Sequence, residues 1–509
     1  MFNRKMLPTA SSISSGLERL DNNRLVSFKN LRVILSNLTG LFTVTTILML
    51  AMTVICILLS EPENAPGFAA AFIVSGGLAI AFKGIFPRAE ELELRHAMVV
   101  AALAYLFVPA LSAIPFIIIQ HMSPLDAFFE GISGWTGSGF TMIPYPEYSS
   151  HAIQLWRSVI QWVGGIGVIL LMVAILIRPG TSTYIMYQSE ARKEKIKPSI
   201  RSTINMIWSL YVGLTVLGVA LLVVVGMPLW DSINHSMTTL GTGGLSIYSD
   251  SIAHYHSVPI EIVIMFIMIL GALPFAFIYK TVAHPKSLLP LDPQVKAFFI
   301  FIILGVLLLT IELFLQQRDL LESIRISAFQ LISGITCTGL QSTDMTGWSQ
   351  AALLITSVFM IIGGCAGSTA GGIKVARAVF LTSELQLWLK RTLLPRNAIL
   401  MLKMGNKRLN EEVINKELAE ASLISFLWVT TILVSVILLT HIVPTTYDLS
   451  HIIFMVCSAL GNVGLWCGFL DPGFDPAGKI IIIIDMWIGR LEIIPVTLLI
   501  RSLIKGFKV

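Results

Sequence analysis

Charge is what this sequence has least of. Only 13% of its 509 residues are Asp, Glu, Lys or Arg, while 55% are hydrophobic. A soluble domain carries roughly a quarter charged residues. No long polar block interrupts the apolar runs, so nearly the whole chain is expected to sit in a membrane. Cysteine is scarce too. Cys56, Cys337, Cys365, Cys457 and Cys467 lie in or beside apolar segments without CxxC spacing. That argues for buried thiols over a disulfide or metal framework. A signal-peptide pattern is also missing. The first apolar run, Leu41–Leu59, follows Arg4, Lys5, Arg19, Arg24, Lys29 and Arg32, and no small-residue cleavage site comes after it. It reads as a retained span.

What fills the chain is apolar sequence in lengths near the ~20 residues a bilayer-crossing helix needs. Ten such segments occur, near 41–59, 67–86, 97–119, 153–177, 204–226, 259–280, 297–316, 350–380, 420–443 and 479–500. Basic residues are absent from 121–149, 227–257 and 444–478. They gather instead at Arg88 and Arg95, at Arg192, Lys193, Lys195, Lys197 and Arg201, at Lys286 and Lys296, and between Lys390 and Lys416. This asymmetry predicts both termini on the cytoplasmic side, with only Arg318 and Arg325 against the pattern.

The loops poor in Lys and Arg each hold an apolar stretch too short to cross: Leu125–Trp135, Ser232–Leu240, Ser323–Ile335 and Leu449–Leu460. Each reads as a surface helix or a re-entrant half-helix. Each ends in a small-residue phrase: TGSGF at Thr136–Phe140, GTGGL at Gly241–Leu245, TCTGL at Thr336–Leu340 and GNVGL at Gly461–Leu465. One such phrase would be explained by close helix packing. Four, each after a half-helix on one side of the membrane, point to a reused unit. Non-helical backbone at membrane depth must be buried in protein or line a watery path. Four strands meeting on an axis would present carbonyl oxygens in place of an alkali cation's hydration shell. Glycine permits the backbone angles that turn carbonyls inward. Glu147, Asp250, Asp344, Asp471 and Asp475 follow the phrases. They are either a cation-enriching mouth or solvated loop charges.

These phrases, with GGCAGSTAGGIKVAR at Gly363–Arg377 and IGRLEI at Ile488–Ile493, resemble the Trk/Ktr/HKT superfamily of cation transporters, TrkH type, over about residues 35–509. The resemblance implies an all-α polytopic membrane protein with four pseudo-symmetric span–pore-helix–span repeats around one central pore, plus two extra N-terminal spans. The chain would divide into a cytoplasmic segment 1–40, an added transmembrane pair 41–95, and pore repeats 96–200, 201–290, 291–400 (its second span broken) and 401–509. The expected ion filter is Thr136, Gly137, Ser138 and Gly139; Gly241, Thr242, Gly243 and Gly244; Thr336, Cys337, Thr338 and Gly339; Gly461, Asn462, Val463 and Gly464. Many relatives have Thr-rich strands, where this chain has Gly137, Gly241 and Cys337. A serine at the first filter glycine accompanies Na⁺ preference in some plant relatives; Gly139 here favours K⁺.

The resemblance further implies K⁺ uptake, a homodimer in the bacterial inner membrane, and a gate below the filter. That gate would comprise Gly363, Gly364, Gly367, Ser368, Thr369, Gly371, Gly372 and Lys374, with Arg490 helping to constrict the path. So many glycines, at roughly 1 kcal/mol each, break a helix. GSTAGGIK lacks the ending and preceding strand of a phosphate loop. Arg490, at membrane depth, must face water or a partner; Asp485 and Glu492 stand nearest in sequence. No cofactor is expected in this chain. With no Rossmann-like segment here, a TrkA-like ring binding ATP/ADP or NAD would be a separate protein. No nucleic-acid partner is expected. A coupled K⁺/H⁺ or K⁺/Na⁺ symporter is the alternative, with Asp485 as its carboxylate. An enzyme is not expected: His121, His151, His235, His254, His256 and His451 lack ligand partners at metal spacing.

Overall fold

The computed structural model describes residues 10–86, 93–167, 200–283, 292–317, 319–393, 403–404, 407–408 and 411–506. Outside these lie residues 168–177 of the fourth expected span and the basic residues Arg4, Lys5, Arg88, Arg192, Lys193, Lys195, Lys197, Lys286, Arg318 and Arg396. The described chain is helical apart from a two-residue antiparallel pairing of Lys403–Met404 with Lys407–Arg408.

Two helices come first, α1 (Ala10–Leu58) and α2 (Ala65–Ile85). The candidate span in α1, Asn30–Leu58, contains nearly all of the expected 41–59 segment. Polar side chains there mask a helix that is already packed: Ser36 Oγ and Asn37 Nδ2 donate to the Val33 carbonyl at 3.0 and 2.8 Å. Val33, Ile34 and Leu38 are buried beside them.

One pattern then recurs four times: a long helix, a half-length helix, an extended strand and a second helix. The first quarter is α3 (Leu94–Ile119), α4 (Pro124–Thr136) and α5 (His151–Ile166). The second is α6 (Ile200–Val224), α7 (Leu229–Leu240), α8 (Val258–Ala272) and α9 (Phe275–Ala283). The third is α10 (Pro293–Leu315), α11 (Leu320–Ile335), α12 (Gln350–Ile362) and α13 (Val375–Leu393). The fourth is α14 (Glu411–Thr440), α15 (Leu449–Leu460), α16 (Pro476–Arg490) and α17 (Ile494–Ile504). The half-helices α4, α7, α11 and α15 have 13, 12, 16 and 12 residues. At ~1.5 Å per residue none crosses a ~30 Å hydrocarbon core. Side-chain caps mark two of their starts: Ser123 Oγ accepts from Asp126 N, and Asp319 accepts from Leu321 N and Glu322 N.

The second helices break more often than the sequence suggests. The break in 350–380 lies between Ile362 and Val375 as expected. The segments 259–280 and 479–500, expected to be continuous, are not. The α8–α9 pair bends by 104° before Pro274. The last segment breaks at Leu491–Ile493, where Ile493 has φ 70° and Pro495 follows. Proline has no N–H to continue the ladder. Ahead of each of these two bends a glycine lets the second helix touch the end of a half-helix. A methyl on Gly271 would meet the Leu240 carbonyl at 2.8 Å, and one on Gly489 would come closer still to the Leu460 carbonyl.

Polar ties join the quarters in a closed ring at the half-helix N-termini. Asp126 of α4 meets Lys479 of α16 at 2.5 Å. Trp230 Nε1 of α7 donates to Gln154 Oε1 of α5 at 2.8 Å. Arg325 of α11 holds both carboxylate oxygens of Glu261 of α8, at 2.6 and 2.8 Å. Gln350 Nε2 of α12 donates to Asp448, the cap of α15, at 2.9 Å. Gln154, Glu261 and Lys479 each stand fourth in their helix.

Candidate ion path and the loop beneath it

Each half-helix ends in two left-handed residues separated by one. The first has φ 73° at Gly137, 50° at Thr242, 55° at Cys337 and 50° at Asn462. The second has φ 78° at Gly139, 73° at Gly244, 81° at Gly339 and 95° at Gly464. Such angles in Thr, Cys and Asn cost of order 1 kcal/mol or more each and persist only where the surroundings over-determine them. The determination is visible. Backbone bonds of 2.8–2.9 Å run from Ser138, Gly243, Thr338 and Val463 to Ser133, Thr238, Ser333 and Ser458.

The second glycines close the ring. A methyl on Gly139 would collide with the Gly243 carbonyl, one on Gly244 with Thr338, one on Gly339 with Val463, and one on Gly464 with Ser138. All four contacts fall under 3.0 Å, nearer than real Cβ atoms come. The structure thus brings all four predicted phrases together, in the order first, second, third, fourth, first. Thr136, Ser138, Thr336 and Thr338 are fully buried. Their hydroxyls pair within a strand, Thr136 with Ser138 and Thr336 with Thr338, both at 2.8 Å. Asn462 Nδ2 crosses to Ser138 Oγ at 2.8 Å and also reaches the Met486 carbonyl. Gly241 and Gly461 cap α7 and α15.

Sequence reasoning missed the struts behind the strands. Ser133, Ser333 and Ser458 donate to the carbonyls of Phe140, Leu340 and Leu465 at 2.6, 2.7 and 2.9 Å. The signal was present, a hydroxyl six residues before each final glycine. The second quarter has Thr238 there, whose hydroxyl turns to His235 O. Gln161 of α5 takes over, accepting from Leu245 N at 2.9 Å and donating to Gly243 O at 2.5 Å.

The loop between α12 and α13 lies under the ring. Thr369 Oγ1 donates to Leu240 O and Gly271 O at 3.1 and 2.9 Å. Cys365 N reaches Ala272 O, and Val375 N closes back on Gly364 O. Gly371 presses on the Gly461 carbonyl, while Gly363 packs on Gly372, so only hydrogen fits at these positions. Ser368 Oγ turns to Cys365 O at 2.7 Å, and Gly367 alone of the predicted loop residues is exposed. Lys374, left-handed at φ 81°, folds its ammonium onto the Ala370 carbonyl.

Arg490 ends α16 instead of lying mid-span. It donates to the carbonyls of Gly164, Gly165 and Thr369, and to the Tyr105 hydroxyl at 3.2 Å. Of its sequence neighbours, Glu492 is paired with Arg377 and Asp485 bonds Ser435 Oγ at 2.7 Å. Arg490 therefore links the first quarter to the loop. The acids that follow the phrases have partners: Glu147 reaches Ser249 in the second quarter, Asp250 pairs with His254 and Asp344 with Thr346, while Asp471 accepts from Gly473 N and Asp475 caps α16. Among the described residues no three His, Cys, Asp or Glu side chains gather as metal ligands would.

The family described as TrkH, cation transport protein, matches residues 60–506. This chain belongs to that family. It is a polytopic membrane protein of a transport family. A cation transporter of Methanocaldococcus jannaschii is 33% identical over 436 residues, covering 85% of this chain and 88% of the relative. The Trk system potassium uptake protein TrkH of Escherichia coli (strain K12) is 30% identical over 417 residues, covering 79% and 84%. The crystal structure of the potassium transporter TrkH from Vibrio parahaemolyticus superposes with a TM-score of 0.76 at 27% identity, covering 93% of this chain and 98% of that one.

Proposed function

We propose that this chain is a potassium-uptake pore of the inner membrane. K⁺ moves along the axis inside the four strands, its water replaced by backbone carbonyls of 136–139, 241–244, 336–339 and 461–464. The observation that carries this reading is the closed ring, in which four quarters contribute the same left-handed pair and crowd matching carbonyls around one axis. Several relatives are named potassium uptake proteins, which supports K⁺ as the cargo. The membrane potential supplies the force. At about 2.3 kcal/mol per charge per 100 mV, an inside-negative potential of that size sustains roughly 50-fold accumulation.

The loop 363–374, with Lys374 and Arg490, is the gate in this reading. It lies across the path on the cytoplasmic side, where two cations oppose a third. A nucleotide-binding ring, a separate protein, pulls it aside, and two copies of this chain assemble side by side. Rb⁺ flux into liposomes holding the purified chain tests the pore. Flux is expected once the gate is relieved, by the ring or by Arg490→Gln. Tight liposomes under both conditions would sink the reading.

A second reading, K⁺ coupled to H⁺, is favoured by one observation. Asp485 is buried, with one oxygen on Ser435 and the other without a hydrogen-bond partner. A reversal potential that moves with pH at fixed K⁺ supports coupling; one that follows K⁺ alone supports the channel.

A further inference from the structure

One buried ion pair in the ring belongs neither to the strands nor to the loop. Glu130 of α4 and Arg157 of α5 meet at 2.7 Å, with side chains 0% and 2% exposed. Glu130 stands nine residues before Gly139. The matching positions of the other half-helices are His235, Gln330 and Met455. These side chains face the chain leaving each strand. Glu130 Oε2 accepts from Met142 N at 2.8 Å and from Thr141 Oγ1 at 3.0 Å. His235 Nε2 meets Ser246 Oγ at 3.1 Å, and the Gln330 amide lies against the backbone of Ser342 and Thr343. Met455 has no polar group to offer. Three of the four exits are pinned, each by different chemistry.

Only the first pin reaches across a boundary. Arg157 Nη2 donates to Thr141 Oγ1 at 3.0 Å, and Nη1 donates to the carbonyl of Ser246 at 2.8 Å, in the second quarter. Positions matching Arg157 hold Ile264 and Ile482 in the second and fourth quarters, both buried. A guanidinium is suited to this, since its planar fork serves three acceptors at fixed angles and it does not lose its proton. A buried charge pair that could be replaced by well-packed apolar residues, as Met455 and Ile482 do in the fourth quarter, is weak evidence for stability and asks for another reason.

We propose that Glu130 and Arg157 are positioning residues for ion selectivity. They fix the separation of the first and second strands at their outer ends, Thr141–Met142 against Ser246, and so the fit of the outermost carbonyls to a K⁺-sized ion. Neither touches the ion. This role presupposes the filter reading above.

Uptake of Rb⁺ and of Na⁺ is measured in potassium-uptake-deficient cells expressing the chain, with the membrane amount quantified. Arg157→Lys keeps the charge but cannot reach Glu130, Thr141 and Ser246 together. It is expected to raise the Na⁺/Rb⁺ uptake ratio by about tenfold or more, the scale of one lost charged-group hydrogen bond. Glu130→Gln keeps an acceptor for Met142 N and should shift the ratio less. Glu130→Gln with Arg157→Met, a neutral pair that avoids a stranded charge, should shift it at least as far as Arg157→Lys. It carries the test if the single lysine variant is poorly expressed. Gly139→Ser runs beside them. If Gly139→Ser alters flux or ratio while both arginine variants keep the wild-type ratio, the positioning role is overturned and the filter stands. If Gly139→Ser also changes nothing, the filter reading fails first.

Discussion

Arg490 shows how one residue can tie a loop to a distant helix through backbone carbonyls. Its guanidinium gathers carbonyls from the first quarter, Gly164 and Gly165, and from the loop, Thr369. Charge-assisted bonds of this kind are about twice as strong as neutral ones. Arg490→Gln can satisfy at most part of that set, so Rb⁺ flux without any partner protein is expected to rise several-fold. Unchanged flux in a well-folded variant would remove Arg490 from the gate. Its neighbour Gly489 is a residue of a different kind. A methyl there would lie far inside contact distance of the Leu460 carbonyl. Gly489→Ala should therefore destabilise the chain by more than about 2 kcal/mol, read as lost monodispersity in detergent on heating. Both residues lie in the IGRLEI phrase, but proximity in sequence suggests Asp485 and Glu492 as partners for Arg490. Those acids are committed elsewhere, to Ser435 and Arg377.

Among the elements, half-helices were the most legible. Short apolar stretches flanked by caps cannot span, and the four expected segments coincide with α4, α7, α11 and α15 to within a few residues. The second helices were the least legible. Hydropathy averages over a bend, so 259–280 and 479–500 looked continuous although Pro274 and Ile493 interrupt them. The join between the added helix pair and the first quarter was also invisible. Glu61, in the turn after α1, accepts from His151 N and Ala152 N at 2.9 and 3.0 Å and meets the His151 ring at 3.1 Å. It caps α5 from a distant segment. Burial alone would raise its pKa, but the bonds from Ala152 and His151 outweigh that and hold the carboxyl below its ordinary value. A lowered carboxylate stabilises fully above its ordinary pKa, and the contribution is lost as pH falls through the folded value. Glu61→Ala should cost about 1 kcal/mol, the worth of a good cap. The gap in melting temperature from wild type should be clear at pH 7 and close on acidification below about pH 4. A gap that widens in acid would reject the assignment.

For the whole molecule, the organising fact is closure: strands touch in a ring at the axis and polar ties join the quarters at the rim. The Asp126–Lys479 tie completes the circle by joining the last quarter to the first, and Lys479 is buried. Lys479→Met strands a nearly buried carboxylate and should destabilise by roughly 3 kcal/mol. Adding Asp126→Asn should recover most of that loss in a thermal melt. Additive losses would show that the pair does not couple.

The amino-acid order by itself determined what local chemistry can express: a membrane chain from its missing charge, four half-helices from length, and four glycine phrases from repetition. That these phrases are enclosed by protein instead of facing lipid followed from the cost of exposed backbone in hydrocarbon. Which strand neighbours which, and that the carbonyls of Ser138, Gly243, Thr338 and Val463 meet the glycine of the preceding quarter, was decided only by tertiary packing. So were the partners of Arg490, the cap by Glu61 and the pair Glu130–Arg157, each joining residues on separate helices. Hydropathy and spacing carry information along the chain. A hydrogen bond between distant segments depends on distances that exist only once the quarters have closed.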